Sequence, residues 1–242
     1  MKFTLLIVLA VLGVKYPPPD IYNYKYVQDL AGIIDNINEV KINDLCWEVD
    51  KQTTVQMAVL TIDSTGGEDI GMLAVEVGEE WGVGREDIDN GLLLVVSLGD
   101  RKYFTATGYG MEPIITDAKA GQIQRQVLVP NFKQGNYGEG IFQTLQMYAA
   151  EIEEYYEVEF VGTEGAPKLK KSSGFSFGAC LPFLLPFIFL ILMTVLNAFI
   201  RKRGGGTGFW SSGGGFSSGG GGFSGGSFGG GSFGGGGAGG GW

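Results

Sequence analysis

Apolar residues follow two different periods along the middle of the chain, and these periods predict alternating helices and strands. Apolar positions three and four residues apart predict helices at 36–51, 68–81, 117–129 and 138–156. Uninterrupted apolar runs predict buried strands at 55–62 and 92–97, and a turn then leads into an antiparallel third strand at 102–107. Buried strands joined by a helix are typical of α/β proteins. The pattern therefore predicts a three-layer α/β/α sandwich with a small mixed sheet.

Two apolar segments lie outside this pattern. Residues 1–19 begin with Lys2 and an apolar run of about 12 residues, which is typical of a secretory signal. Residues 177–200 contain no ionisable side chain and are long enough to cross a hydrocarbon core of ~30 Å as one transmembrane helix. A buried core helix of a soluble protein is the alternative interpretation. Residues 161–176 form the predicted linker between the folded domain and this span.

The C-terminal segment, 201–242, combines a basic stop with a glycine-rich tail. Arg201, Lys202 and Arg203 directly follow the apolar span, and 23 of the 39 residues in 204–242 are glycine. Ordering a glycine-rich backbone costs much conformational entropy, and the tail itself has few apolar side chains to offset that cost. The sequence therefore predicts that the tail is disordered.

Basic residues flank the apolar span on both sides, so charge alone does not orient it. Lys168, Lys170 and Lys171 precede the span and three basic residues follow it, which balances the positive-inside rule. The signal-like start favours one orientation. We therefore predict a single-pass protein of the cell membrane, with an extracytoplasmic domain and a cytoplasmic tail.

The composition of the predicted domain, residues 20–160, excludes several classes of function. It contains 25 acidic and 9 basic residues, which argues against nucleic acid and anionic headgroups as partners. The whole chain has no histidine, so imidazole catalysis and histidine-ligated zinc are excluded. Cys46 falls in a predicted helix and Cys180 at the membrane entry, and we expect no disulfide between them.

Carboxylates near one edge of the predicted sheet suggest a cation site. The start of the strand at 92 and the end of the strand at 107 should share an edge, which brings Asp89 and Asn90 close to the loop that leads to Asp117. Carboxylates and free backbone carbonyls could bind Ca²⁺ or Mg²⁺ there. The alternative is that these are ordinary turn and helix-cap residues. Asp29 is a further candidate whose edge does not follow from the topology, and Asp63 falls at the opposite edge.

Short motifs follow one another in a regular order between Tyr26 and Tyr156. They are Tyr26-Val27-Gln28-Asp29-Leu30-Ala31-Gly32, Trp81-Gly82-Val83-Gly84, Asp89-Asn90-Gly91-Leu92-Leu93, Asp100-Arg101-Lys102, Gly108-Tyr109-Gly110-Met111-Glu112, Thr116-Asp117-Ala118, Pro130-Asn131-Phe132 and Gly135-Asn136-Tyr137-Gly138. This ordered set resembles the TPM-domain family, in particular its membrane-anchored YgcG-like branch with a glycine-rich tail. Gln28 departs from the asparagine usual there. The resemblance implies an α/β/α sandwich, accessory roles in membrane complexes or phosphatase activity, and divalent-cation binding in some members.

Two functions follow as hypotheses. The first is a membrane-tethered interaction module that assists the assembly or maintenance of a membrane-protein complex. The alternative is a metal-dependent phosphatase in which Asp89 and Asp117 hold a cation that polarises the phosphoryl oxygens. The enzyme hypothesis ranks second because the sequence offers no evident nucleophile or general base.

Overall fold

A computed structural model describes residues 15–23, 25–169 and 233–242. The strands in these ranges are β1 (Val27–Asp29), β2 (Gln56–Ile62), β3 (Gly91–Ser97), β4 (Lys102–Gly108) and β5 (Phe233–Gly241). The helices are α1 (Asn36–Thr53), α2 (Ile70–Trp81), α3 (Asp117–Ile123), α4 (Val129–Lys133) and α5 (Tyr137–Tyr156). A π-helical turn, Gln124–Leu128, joins α3 to α4.

The five strands form one mixed sheet in the order β1-β2-β3-β4-β5. Strands β1, β2 and β3 run parallel, and β4 and β5 are antiparallel to their neighbours. Every residue of β2 and β3 is buried, because helices cover both faces of these two strands. The predicted α/β sandwich with a mixed sheet is confirmed.

Alternate side chains of β4 show which helices lie on which face. The Phe104 ring lies under α2, 3.1 Å from the position that a Cβ on Gly71 would occupy. On the opposite face, the Thr105 hydroxyl lies 3.1 Å from the hydroxyl of Tyr148 in α5. Helix α1 contacts α5, so α1 and α5 share that second face.

The helix boundaries reflect local chemistry. Asp35, one residue before the asparagine that begins α1, caps the helix by accepting hydrogen bonds from two backbone N–H groups. Gly82 ends α2 in the left-handed conformation that favours glycine. The predicted helix at 117–129 instead continues to Lys133 through the π turn. Pro130 follows that turn and has no N–H with which to continue the α-helical ladder.

The folded unit begins earlier than the predicted start at residue 20. Tyr16 is buried in the core, and its carbonyl accepts a 2.9 Å hydrogen bond from the Trp81 indole N–H. The rest of the signal-like segment, residues 1–14, lies outside the described residues.

The C-terminal strand corrects the prediction of a tail that is disordered throughout. Residues 233–241 form β5, which pairs with the edge strand β4, and Phe233 is buried in the core. The prediction counted only the apolar groups of the tail itself. It omitted the unpaired backbone groups and aromatic side chains that β4 and its neighbours supply.

The same pairing bears on the predicted topology. The described residues of 233–242 belong to the same compact unit as those of 15–169, and β4 and β5 share a sheet. Pairing therefore requires that the end of the tail and the domain lie on the same side of any membrane. Among the described residues, no helix has the length and apolarity needed to cross a bilayer. The predicted span at 177–200 lies outside them, as do residues 201–232 of the tail.

Candidate functional site

The two loops that carry the predicted cation ligands lie against each other at one edge of the sheet. The backbone N–H of Gly110 donates a 3.1 Å hydrogen bond to the Asp89 carbonyl. A Cβ at Gly110 would fall 1.9 Å from the Ile88 carbonyl oxygen, so only glycine permits this approach. Asp89 itself has a positive φ of 49°, which marks a tight turn just before β3.

The predicted ligands at this edge differ in how many hydrogen bonds their side chains already make. The Asn90 side chain is buried, accepts from the Arg85 N–H at 2.9 Å and donates to the Thr54 carbonyl at 2.9 Å. Asn90 is therefore a structural residue of the turn. Asp117 is exposed, and one carboxylate oxygen accepts a 2.8 Å hydrogen bond from the Gly237 N–H of β5. The described residues contain no group of three or more acidic, cysteine or histidine side chains arranged to hold a metal.

Asp29 does not belong with these residues. It ends β1 and pairs with Thr61 near the end of β2, whereas Asn90 precedes the residue that pairs with Gln56 at the start of β2. Five residues of strand separate the two positions, or about 16 Å. The Asp29 carboxylate accepts from the Thr61 hydroxyl and from the backbone N–H groups of Ile33 and Ile34, so it holds the loop that leads into α1.

A second polar cluster, not predicted from the sequence, lies at the carboxyl ends of β2 and β3. The Asp100 carboxylate accepts hydrogen bonds from the Ser97 hydroxyl at 2.6 Å, the Thr65 N–H at 2.7 Å and the Ser64 hydroxyl at 3.1 Å. These bonds lower the pKa of Asp100 to about 2, and the bond from Ser97 has the largest effect. The only sequence signal was the Ser-Thr pair in one turn facing an aspartate in the next.

An open cleft of about 770 Å³ lies beside this cluster. Its lining includes Asp69 at the start of α2, Asp100, Arg101, Phe104 and the last glycines of β5. The carboxyl edge of parallel strands is where open α/β sheets usually bind ligands. The cleft therefore joins three features at one edge: the Asp100 cluster, a cationic side chain and the C-terminal strand.

The Asp100 network predicts a pH-dependent contribution to stability. Because the pKa of the folded-state carboxyl lies below its ordinary value of 3.8, the ionised group stabilises the fold above about pH 4. That contribution is lost as the pH falls from about 4 to about 2. We expect Asp100→Asn to lower the melting temperature at pH 7 and the difference from wild type to shrink below pH 4. Thermal melts from pH 7 to pH 2 measure it.

Asp87 provides the control for this prediction, because it is an exposed aspartate in the loop before β3. Asp87→Asn should change the melting temperature little at any pH. A constant difference between Asp100→Asn and wild type down to pH 2 would show that the Asp100 charge does not stabilise the fold.

A third surface is apolar and exposed. Along α1, Ile37, Val40 and Trp47 are 70%, 58% and 38% exposed. Val161, in the turn after α5, is 77% exposed. Trp47 and Val161 line a groove of about 610 Å³, together with Phe142 of α5. Lys41 and Glu48 are among the charged residues that border it.

The fold and these edges define an α/β/α sandwich with a mixed sheet in which β5 covers the edge at β4. A family model of the TPM domain, labelled TPM phosphatase, matches residues 27–151. The chain belongs to the TPM-domain family.

Three solved structures are similar to part of this chain. The N-terminal domain of a P. gingivalis protein, solved by NMR, is 29% identical, with a TM-score of 0.55 over 60% of this chain and 96% of its own. The BA42 protein of Bizionia argentinensis is 20% identical over 52% of this chain and 86% of its own, with a TM-score of 0.45. The N-terminal domain of the Corynebacterium glutamicum cg2496 protein is 17% identical over 60% and 86%, with a TM-score of 0.42. The comparison with curated proteins gave no match.

Proposed function

We propose that this protein is a membrane-associated accessory module that docks a membrane-protein partner through α1. The observation that carries the proposal is the exposed apolar side of α1, formed by Ile37, Val40 and Trp47. Residues 177–200 supply the membrane attachment, and the signal-like start places the domain outside the cytoplasm. The pairing of β4 with β5 supports a topology in which the end of the tail lies on the domain's side of the membrane.

The shape and chemistry of the surface favour an amphipathic helix as the docked segment. The exposed residues lie three and seven positions apart, along one side of α1, and they lead into the groove at Trp47 and Phe142. A helix presents apolar residues at matching spacings, and a groove of this kind takes them as anchors. Lys41 and Glu48 at the border can pair with charges of either sign on the partner.

A photocrosslinking experiment in intact cells tests this docking surface. We expect a photoreactive residue placed at Val40 of the full chain to give one discrete adduct with a membrane protein. The double variant Ile37→Glu/Trp47→Glu should abolish the adduct, because it puts charge on both sides of position 40 in the apolar surface.

Met72 supplies the matched control. It is an apolar side chain on the exposed side of α2, 75% exposed, and lies on the other face of the sheet. A photoreactive residue there should give no such adduct, and Met72→Glu should leave the adduct at position 40 unchanged. Equal adducts from both positions, or none from position 40, would contradict docking through α1.

The alternative function is a metal-dependent phosphatase. Two observations favour it: the family carries the label TPM phosphatase, and the Asp89 and Asp117 loops meet at one edge. Asp89 and Asp117 would hold Ca²⁺ or Mg²⁺, which would polarise a phosphoryl oxygen, whereas Asn90 does not fit because its amide is already bonded. Mg²⁺-dependent hydrolysis of p-nitrophenyl phosphate, lost in Asp117→Asn and kept in Asp87→Asn, would favour the enzyme.

A further inference from the structure

We propose that the β4 edge is a sequence-selective strand-binding site, and that its ligand is the glycine-rich C-terminal strand of the same chain. The site comprises β4, the aromatic side chains at its two ends and Gln124 of the π turn. This inference is independent of docking through α1, because β4 and α1 are separate surfaces of the domain.

The backbone supplies a long and continuous part of the contact. Residues 236–241 pair one for one with 102–107 in antiparallel register, and a bulge follows before Phe233 meets Gly108. A strand added in this way to an open sheet edge gains affinity from main-chain hydrogen bonds. Main-chain bonds alone do not select a sequence, so selectivity must come from the side chains around the strand.

Two aromatic anchors fix the ends of the strand on opposite faces of the sheet. The Trp242 ring packs edge-on against Phe132, with centroids 4.8 Å apart, and also contacts Tyr137 and Tyr103 at 6.1 Å and 6.4 Å. At the other end, Phe233 is only 5% exposed. Its ring lies against Gly78 of α2, where a Cβ would meet it at 2.7 Å. Aromatic contacts of this kind add to the burial of apolar area.

Polar side chains of the domain form hydrogen bonds with the β5 backbone between the two aromatic anchors. Gln124 is fully buried, and its side-chain N–H donates to the Ala238 carbonyl at 2.9 Å and to the Thr105 hydroxyl at 2.8 Å. The neighbouring N–H of Gly237 donates to the Asp117 carboxylate at 2.8 Å. A buried amide that bonds the strand in its observed register disfavours shifted registers, because a shift would leave a buried donor unpaired.

Steric contacts explain why the strand is glycine at particular positions. A Cβ at Gly237 would lie 2.2 Å from the Thr105 carbonyl oxygen, and φ at Gly237 is +147°. A Cβ at Gly239 would lie 2.5 Å from the Phe104 ring and 2.7 Å from the Tyr103 carbonyl oxygen. At Gly236, by contrast, the nearest atom would be the Thr107 hydroxyl at an ordinary 3.4 Å.

The site therefore selects a peptide with an aromatic residue at position 233, glycine at positions 237 and 239, and tryptophan at position 242. In the sequence of 204–242, only 233–242 has this form, because no other aromatic residue there is followed by tryptophan nine positions later. Residues 233–242 are therefore a specific sequence within a tail of repetitive composition.

Three single variants of the full chain test selectivity. Hydrogen exchange of the β4 amides that face β5 should be at least about tenfold faster in Gly239→Ala and in Trp242→Ala than in wild type, because β4 then becomes an open edge. Gly236→Ala is the matched control and should exchange like wild type. Equal protection of β4 in all four proteins would overturn the proposal.

A cysteine pair tests whether the strand binds its own chain. Thr107 and Gly236 are register partners, and the 3.4 Å between the Thr107 Oγ1 and a Cβ at Gly236 suits a disulfide. In a Cys180→Ser background, Thr107→Cys/Gly236→Cys should form a disulfide within one chain and run as a monomer on a non-reducing gel. Disulfide-linked dimers would show that a second copy supplies the strand, and failure of any disulfide to form would show that the register is wrong. Either result overturns the proposal.

Discussion

The substitution Gly91→Ala is expected to destabilise the domain by about 3 kcal/mol or more, because the added methyl group would overlap another backbone segment. A Cβ at Gly91 would lie 2.1 Å from the Val83 carbonyl oxygen and 2.7 Å from its carbon. The close approach is mutual, because a Cβ at Gly84 would itself lie 2.5 Å from the Gly91 nitrogen. For a domain of this size the melting temperature should fall by about 6–12 °C.

Chemical denaturation and thermal melting of the full chain measure this effect. Gly236→Ala is the appropriate control, since it makes the same chemical change in a strand of the same sheet with no overlap. The control should stay within about 1 kcal/mol of wild type. Equal stability of Gly91→Ala and Gly236→Ala would show that the backbone at Gly91 does not pack as closely against Val83 and Gly84 as described.

The substitution Trp81→Ala is expected to cost about 3–5 kcal/mol, the usual range for removing a large buried aromatic side chain. Trp81 is fully buried at the end of α2, and its indole N–H donates to the Tyr16 carbonyl. Its removal leaves a cavity and also removes the hydrogen bond that links α2 to Tyr16. Urea denaturation gives the size of the effect.

Trp47→Ala makes the same change on α1, where the tryptophan is 38% exposed. It should cost less than half as much, because the site is open to solvent and less apolar area is lost. Equal losses in the free energy of unfolding from Trp81→Ala and Trp47→Ala would show that the burial of Trp81 is not the cause of its large effect.

Periodicity predicted most of the fold because the main elements are long and strongly amphipathic or fully buried. It located α1, α2, α5 and the strands β2 to β4 to within a few residues. It could not locate β1, because three residues show no period. The glycine motifs around residues 82–84 and 89–91 were visible in the sequence, but their physical reason, the packing of one backbone against another, appears only in the structure.

The candidate sites were predicted less well. Chain topology placed Asp89 near the 108–117 loop correctly, because strand direction decides which loops share an edge. It could not place Asp29, since β1 had not been predicted, and it gave no sign of the three hydrogen bonds that converge on Asp100. The ordered end of the tail was missed for another reason. Its binding partners are side chains more than 100 residues away, which no local pattern reveals.

The pairing of β4 with the last residues of the chain has a consequence for biosynthesis. A ribosome adds about 5–20 residues per second, so the 73 residues after Leu169 take about 4–15 s to make. Throughout that interval β1 to β4 and the helices α1 to α5 have been synthesised, but β4 is still an open edge. Exposed edges of this kind pair readily with other chains. A nascent chain is therefore most prone to aggregate in the seconds before Trp242 is added, and a stalled or truncated product keeps that open edge permanently.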